Sequence, residues 1–223
     1  MNKINIKRES ILWLLTLLPI IYIIYIWPQL PAQIPVHYNL HGEVDGWGGR
    51  NSIFLMPGIL VFSYFLLLFL PKVDPKRMNT EFFTSNFYKI RVVVTAATAA
   101  ISILIAHLAL SSAPDTHEVK YIPVLVLLLL AVLGNFMINI KPNWFIGIRT
   151  PWTLSSDYVW KQTHLVFGRV WFYGGIICIA AVMLLPDTFI PGIIATFALG
   201  STALAFAYSY WLYRRELAKP SQD

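Results

Sequence analysis

Six apolar runs constrain this chain more than any motif in it. They fall at about 11–27, 53–70, 92–110, 121–140, 168–185 and 190–213. Each is long enough to cross a hydrocarbon core ~30 Å thick, which takes roughly 17–25 helical residues. Their interiors carry almost no charge. Inside a bilayer every backbone polar group must be satisfied within the segment, so each run must be helical. With 57% apolar and only 13% charged residues, a soluble domain is a poor alternative. The first run has no small-residue cleavage site after it, which argues against a signal peptide. The expectation is an all-α integral membrane protein with six transmembrane helices. It forms one polytopic domain over 1–223, with an amino-terminal part at 10–71 and a carboxy-terminal part at 121–213.

The net charge of +6 is distributed by side rather than by patch. If the amino terminus is cytoplasmic, Lys3, Lys7, Arg8, Lys72, Lys76, Arg77, Lys89, Arg91, Lys141, Arg149, Lys161, Arg169, Arg214, Arg215 and Lys219 all lie inside, and only Arg50 and Lys120 outside. Basic residues near short loops set orientation, so both termini are expected in the cytoplasm. Glu43, Asp45, Asp115, Glu118 and Asp187 make the outer face acidic. Membrane topology and anionic lipid account for the basic face, and direct nucleic-acid binding is not expected. The single cysteine, Cys178, lies within the fifth run and reads as a packing residue.

Two polar stretches interrupt this pattern. The first is the outer loop between helices 1 and 2. Three prolines, Pro28, Pro31 and Pro35, stiffen its start. Residues 36–41 then alternate with period two, which predicts a strand with His37, Asn39 and His41 on one side; a short helix is the competing reading. Four glycines follow around Asp45 and Trp47. The second is an aromatic and basic cytosolic segment at 141–171, between helices 4 and 5. There Thr153 or Ser155 can cap a short helix that places Asp157, Trp160 and His164 on one face. That helix reads either as interfacial, anchored by Trp144, Trp152 and Trp160, or as a docking surface or inner gate. Arg149 can pair with Asp157 or with lipid phosphate.

Smaller signals complete the pattern. Ser10 reads as a helix cap and Pro19 as a kink site. The aromatic stretch Phe82, Phe83, Phe87 and Tyr88 reads as an interfacial helix. The small residues from Thr95 to Ser102 suit a central third helix, and Ala198, Thr202, Ala205 and Ser209 form a second small-residue stripe. Asn135 and Asn139 share a helix face with Asn143 beyond, and polar residues on a membrane helix are expected to face the bundle interior.

For chemistry, His37 and His41 are the candidate metal ligands. Zinc would need a third ligand from His107, His117, Asp115 or Glu118. A strand would hold the two histidines about 13 Å apart, too far to share one ion. No His-Glu-x-x-His, Gly-x-Ser-x-Gly or phosphate-binding loop is present, and no Asp or Glu falls deep inside a run, so no cofactor is expected.

Together the two stretches resemble the SdpI family of bacterial membrane immunity proteins. The amino-terminal pattern is Leu30-Pro31, Ile34-Pro35-Val36-His37 and Gly42-Glu43-Val44-Asp45-Gly46-Trp47. The carboxy-terminal one is Lys141-Pro142-Asn143, then Gly147-Ile148-Arg149-Thr150-Pro151-Trp152-Thr153-Leu154, Trp160 and Thr163-His164. The resemblance implies a multispan protein of the bacterial cytoplasmic (inner) membrane that gives resistance to a secreted, membrane-active peptide toxin. It also implies a toxin-sensing receptor that holds a cytosolic repressor at the membrane. On that reading His37, His41, Asp45 and Trp47 meet the peptide outside, and Asn143, Arg149, Trp152, Trp160 and His164 form the cytosolic functional segment. The rival is a metal-dependent membrane enzyme centred on His37 and His41, or a small transporter.

Overall fold

The computed structural model describes residues 6–39, 41–70, 80–111, 114–143 and 145–218. Leu40, Trp144 and five charges of the orientation count (Lys3, Lys72, Lys76, Arg77 and Lys219) lie outside the described residues, as do the side chains of Phe82 and Phe83.

Among the described residues, eight α-helices and one β-hairpin follow in the order α1 (Ile6–Ile26), β1 (Gln33–Tyr38), β2 (Val44–Gly49), α2 (Leu55–Phe69), α3 (Thr80–Leu108), α4 (Thr116–Val119), α5 (Tyr121–Met137), α6 (Pro151–Ser155), α7 (Asp157–Leu184) and α8 (Ile190–Leu217). Among the described residues six spans are long and apolar enough to cross a membrane: Ile6–Gln29, Arg50–Phe69, Phe87–Leu108, His117–Met137, Asp157–Leu184 and Asp187–Leu217. This is the multi-pass helical membrane architecture that the apolar runs predict.

The packed pairs of spans are α1 with α2, α1 with α3, α2 with α3, α3 with α5, α5 with α7, and α7 with α8. Helix α3 touches three other spans, as its small residues suggest, and Ala99 and Ser102 are buried on it. The α5–α7 seam is the closest. A side chain added at Gly134 would meet the Gly168 backbone, and one at Gly168 the Gly134 backbone, so only glycine lets the two helices come this near. The buried stripe on α8 is Ser201, Ala205 and Ser209. Thr202 and Ala198 face outward, one position off the expected stripe.

Several local expectations are corrected. The fifth span starts about three turns earlier than its apolar core, because Ser156 caps α7 by accepting from Val159 N–H and the helix then runs unbroken to Leu184. The separate interfacial helix through Trp160 therefore does not form. Nor does one before the third span: α3 is continuous from Thr80, with Phe87 buried and the Tyr88 hydroxyl donating to Arg8 O. Ser10 lies inside α1, and its hydroxyl donates back to Lys7 O instead of capping. Pro19 lies buried inside α1. Asn135 and Asn139 are exposed, and only Asn143 of that series is buried.

The chain path places the β-hairpin at one end of the bundle, with the last turn of α3 and the first turns of α2, α5 and α8. The 141–156 connection lies at the other end, with the first turn of α1. The two motif stretches are thus a membrane thickness apart.

Candidate functional site

At the hairpin end, β1 and β2 pair antiparallel, with Gln33 opposite Gly49 and Tyr38 opposite Val44. The strand predicted by the alternation exists but begins and ends three residues earlier, so His41 belongs to the turn. Asn39 builds that turn. Its side-chain oxygen accepts from the N–H groups of His41 and Glu43, its amide donates to the Glu43 carboxylate, and Gly42 takes φ 79°. This local bonding is the turn chemistry expected of Asn and Gly.

One side of the hairpin is held down. Ile34 is buried with Leu30, Ile23, Ile26, Ile53, Ala106 and Ala109, and Arg50 ties the hairpin to the end of α1 by donating to Pro31 O beside the Trp27 ring. The other side faces outward. Asp45 and Trp47, two apart on β2, are both exposed, and the His37 imidazole pairs with the Asp45 carboxylate through Nδ1. Three of the four sequence-predicted outer residues therefore share one exposed surface. The fourth, His41, sits at the adjoining turn.

The histidines do not converge on a metal. His37 is on Asp45, His107 meets the Tyr22 hydroxyl, and His117 meets Asp187. Among the described residues no three His, Cys, Asp or Glu side chains are grouped to hold an ion.

Beneath the hairpin lies a cavity of about 640 Å³, walled by Ile34, Ile53, Met56, Ile105, Ile122 and Ile194. Lys120, Asp187, Ser52 and the two motif histidines line its polar rim. Burial pushes the phenol of Tyr38, on the same wall, above its ordinary value, so it stays a protonated donor.

The opposite end is a fold inside a fold. Buried Asn143 makes four hydrogen bonds: its amide donates to Lys141 O (3.1 Å) and Ile146 O (2.9 Å), and its oxygen accepts from Phe145 N–H (2.9 Å) and Ile146 N–H (2.7 Å). Gly147 follows at φ 120°, which brings the backbone against the His164 ring. That ring donates from Nδ1 to Trp160 O at 2.8 Å, since a carbonyl only accepts. Its Nε2 must then be the acceptor for Ile148 N–H at 2.9 Å, which sets a neutral imidazole. Trp160 stacks on the same ring, 4.1 Å between centroids, and donates to Ile140 O.

Thr150 caps α6, while the helix that carries Asp157, Trp160 and His164 is capped by Ser156 and not by Thr153 or Ser155. Thr150 and Thr153 exchange backbone and side-chain bonds in a capping box, and the Thr150 hydroxyl donates to Ser209 on α8 at 3.1 Å. Trp152 packs edge-on to Phe206 and tilted on Tyr210. The motif Asn143…Thr150…Trp160…His164 is therefore a buried staple that locks the α5–α6–α7–α8 turn. Arg149 stands exposed beside it, and the expected pair with Asp157 is not formed.

Sequence reasoning missed one constellation at this end. Glu9 on α1 and Arg91 on α3, both less than a tenth exposed, form a two-pronged ion pair with both N···O distances 2.8 Å. The Tyr64 hydroxyl of α2 donates to Glu9 at 2.9 Å, and Trp13 donates to that hydroxyl at 2.8 Å. The available signal was one charge of each sign near the same ends of neighbouring spans.

The comparisons divide along the same lines. Residues 14–61 match the model of a domain of unknown function (DUF1648), and residues 139–210 match that of the SdpI/YfhL protein family. The chain is 23% identical over 211 residues to the immunity protein SdpI of Bacillus subtilis, covering 94% of this chain and 97% of that protein. It is 27% identical over 96 residues to an uncharacterized protein of Archaeoglobus fulgidus, covering 40% of this chain and 49% of the other. No solved structure matches.

Proposed function

We propose that this chain, which belongs to the SdpI/YfhL family, is an immunity protein of the bacterial cytoplasmic membrane and protects against a secreted, membrane-active peptide. The observation that carries the reading is the convergence of His37, Asp45 and Trp47 on the exposed face of the hairpin, each drawn from the motif stretch. An aromatic ring beside a carboxylate–imidazole pair offers apolar contact and a polar anchor together. The described bases at this end are Arg50, tied to a carbonyl and a ring, and Lys120; the exposed acids Glu43, Asp45, Asp115 and Glu118 outnumber them and leave this end attractive to a cationic peptide.

Signalling is assigned to the opposite end. Trp160 and His164 are each 1% exposed and Asn143 2%, so they shape the docking surface for a cytosolic repressor rather than form it. Exposed Arg149 and Lys161 are the residues that touch such a partner.

The test is survival of a toxin-sensitive host expressing the chain during challenge with the peptide. His37→Ala combined with Trp47→Ala should abolish protection at unchanged membrane abundance, and Arg149→Ala should abolish repressor recruitment while protection persists. Full protection by the hairpin variant would overturn the reading. The metal-enzyme alternative has no ligand set among the described residues, and its discriminating measurement is stoichiometric zinc in purified protein that is lost in both His37→Ala and His41→Ala.

A further inference from the structure

The cavity beneath the hairpin adjoins the exposed face assigned to the peptide and shares His37 with it at the rim, but its apolar walls lie below that face. Its walls come from the last turn of α3 and the first turns of α2, α5 and α8, which sets it at the depth of the leaflet on the hairpin side. Helices α2 and α8 both line it and are not one of the packed pairs. Leu55 is on its wall yet 68% exposed, so the cavity is continuous with the lipid-facing surface of α2.

Ile53, Met56, Ile105, Ile122 and Ile194 offer water few partners, whereas hydrocarbon gains dispersion contacts with them. The volume, about 640 Å³, suits one extended small-molecule ligand. The rim adds charge complementarity. Lys120 Nζ stands 3.7 Å from Asp187, beyond hydrogen-bond range, so its three donors remain available for an anionic oxygen. Asp187 is itself drawn to His117 at 3.1 Å, and Ser52 lies on the same wall.

We propose that this cavity binds one acyl chain of a phospholipid from the adjacent leaflet, with the lipid phosphate held by Lys120. The chain slips in between α2 and α8 past Leu55, and the headgroup rests under the turn of the hairpin. This site stands whether or not the chain confers peptide immunity.

The experiment uses the full chain in phosphatidylcholine vesicles doped with phosphatidylglycerol carrying a photoactivatable diazirine in one acyl chain, followed by mapping of the adducts. Adducts are expected on Met56, Ile105 and Ile194 in excess of those on Leu204, an exposed residue further along α8. Ile194→Trp should fill the cavity and lower the adducts at Met56 and Ile105 several-fold while leaving Leu204 unchanged; Met56→Trp, read at Ile105 and Ile194, repeats the test from the opposite wall. Lys120→Gln should lower the yield with phosphatidylglycerol and leave that with a diazirine diacylglycerol, which has no phosphate, as it was. Equal labelling of cavity and Leu204 that neither Trp variant alters would mean ordinary annular lipid and overturn the proposal. So would a co-purifying peptide, rather than lipid, crosslinked at these positions, and so would a phosphate-independent yield insensitive to Lys120→Gln.

Discussion

Replacing Gly147 with alanine should destabilise the protein by about 2–6 kcal/mol, and about half of that cost should vanish when His164 is removed as well. Two contributions add. The backbone at φ 120° is a conformation that side-chain-bearing residues adopt only with strain, of order 1–3 kcal/mol. The new Cβ would also collide with His164 Nε2. The ring has nowhere to retreat, being 1% exposed, stacked on Trp160 and pinned through Nδ1 to Trp160 O. Displacing it breaks the bond from Ile148 N–H, and an unsatisfied donor costs roughly 1–3 kcal/mol. In a His164→Ala background only the backbone part remains, so the cycle should show a coupling of about 1–3 kcal/mol between the two positions. The assay is equilibrium unfolding of the purified chain in mixed micelles with rising denaturing detergent, followed by tryptophan fluorescence and far-ultraviolet circular dichroism. An equal cost in both backgrounds, or one under about 0.5 kcal/mol in the native background, would refute the packing of the 147 turn on the imidazole.

Three further outcomes follow from the same structure. Arg91→Met should cost about 3–5 kcal/mol because it strands the Glu9 carboxylate, whereas Glu9→Gln combined with Arg91→Met should recover much of the loss, both read by the same unfolding assay. Asn143→Ala, which removes four hydrogen bonds at roughly 0.5–1.5 kcal/mol each, should lower stability by at least ~2 kcal/mol, while Asn139→Ala on the exposed side should stay within about 0.5 kcal/mol. Thr150→Val should cost about 1–2 kcal/mol through the lost cap and the lost link to Ser209, and deuterium exchange at the start of α6 should rise in the same variant.

The six spans, and the placement of the two motif stretches at their ends, were legible in the sequence because both depend on local quantities. Apolar length decides whether a segment can cross lipid, and the number of crossings between the stretches decides whether they share an end. The first strand of the hairpin was legible in kind from the period-two alternation, but its partner, Val44–Gly49, lies where the glycines read as turns. The register was not legible, because Asn39 bonds its own neighbours and so spends as turn a residue that alternation counts as strand. The start of α7 was hidden for a related reason. Residues 157–167 are too polar to read as membrane span, yet Ser156 caps them and their buried side, Val159, Trp160, Thr163 and His164, faces protein rather than lipid.

What only the tertiary structure decided is which distant residues meet. Glu9 with Arg91, Gly147 with His164, and Thr150 with Ser209 are pairings between segments whose adjacency no local period encodes. In a bilayer the apolar exterior of every helix is nearly equivalent, so hydrophobicity selects the spans but scarcely ranks their neighbours. Close glycine contacts and satisfied buried polar groups do the ranking, and both become visible only once the helices are side by side.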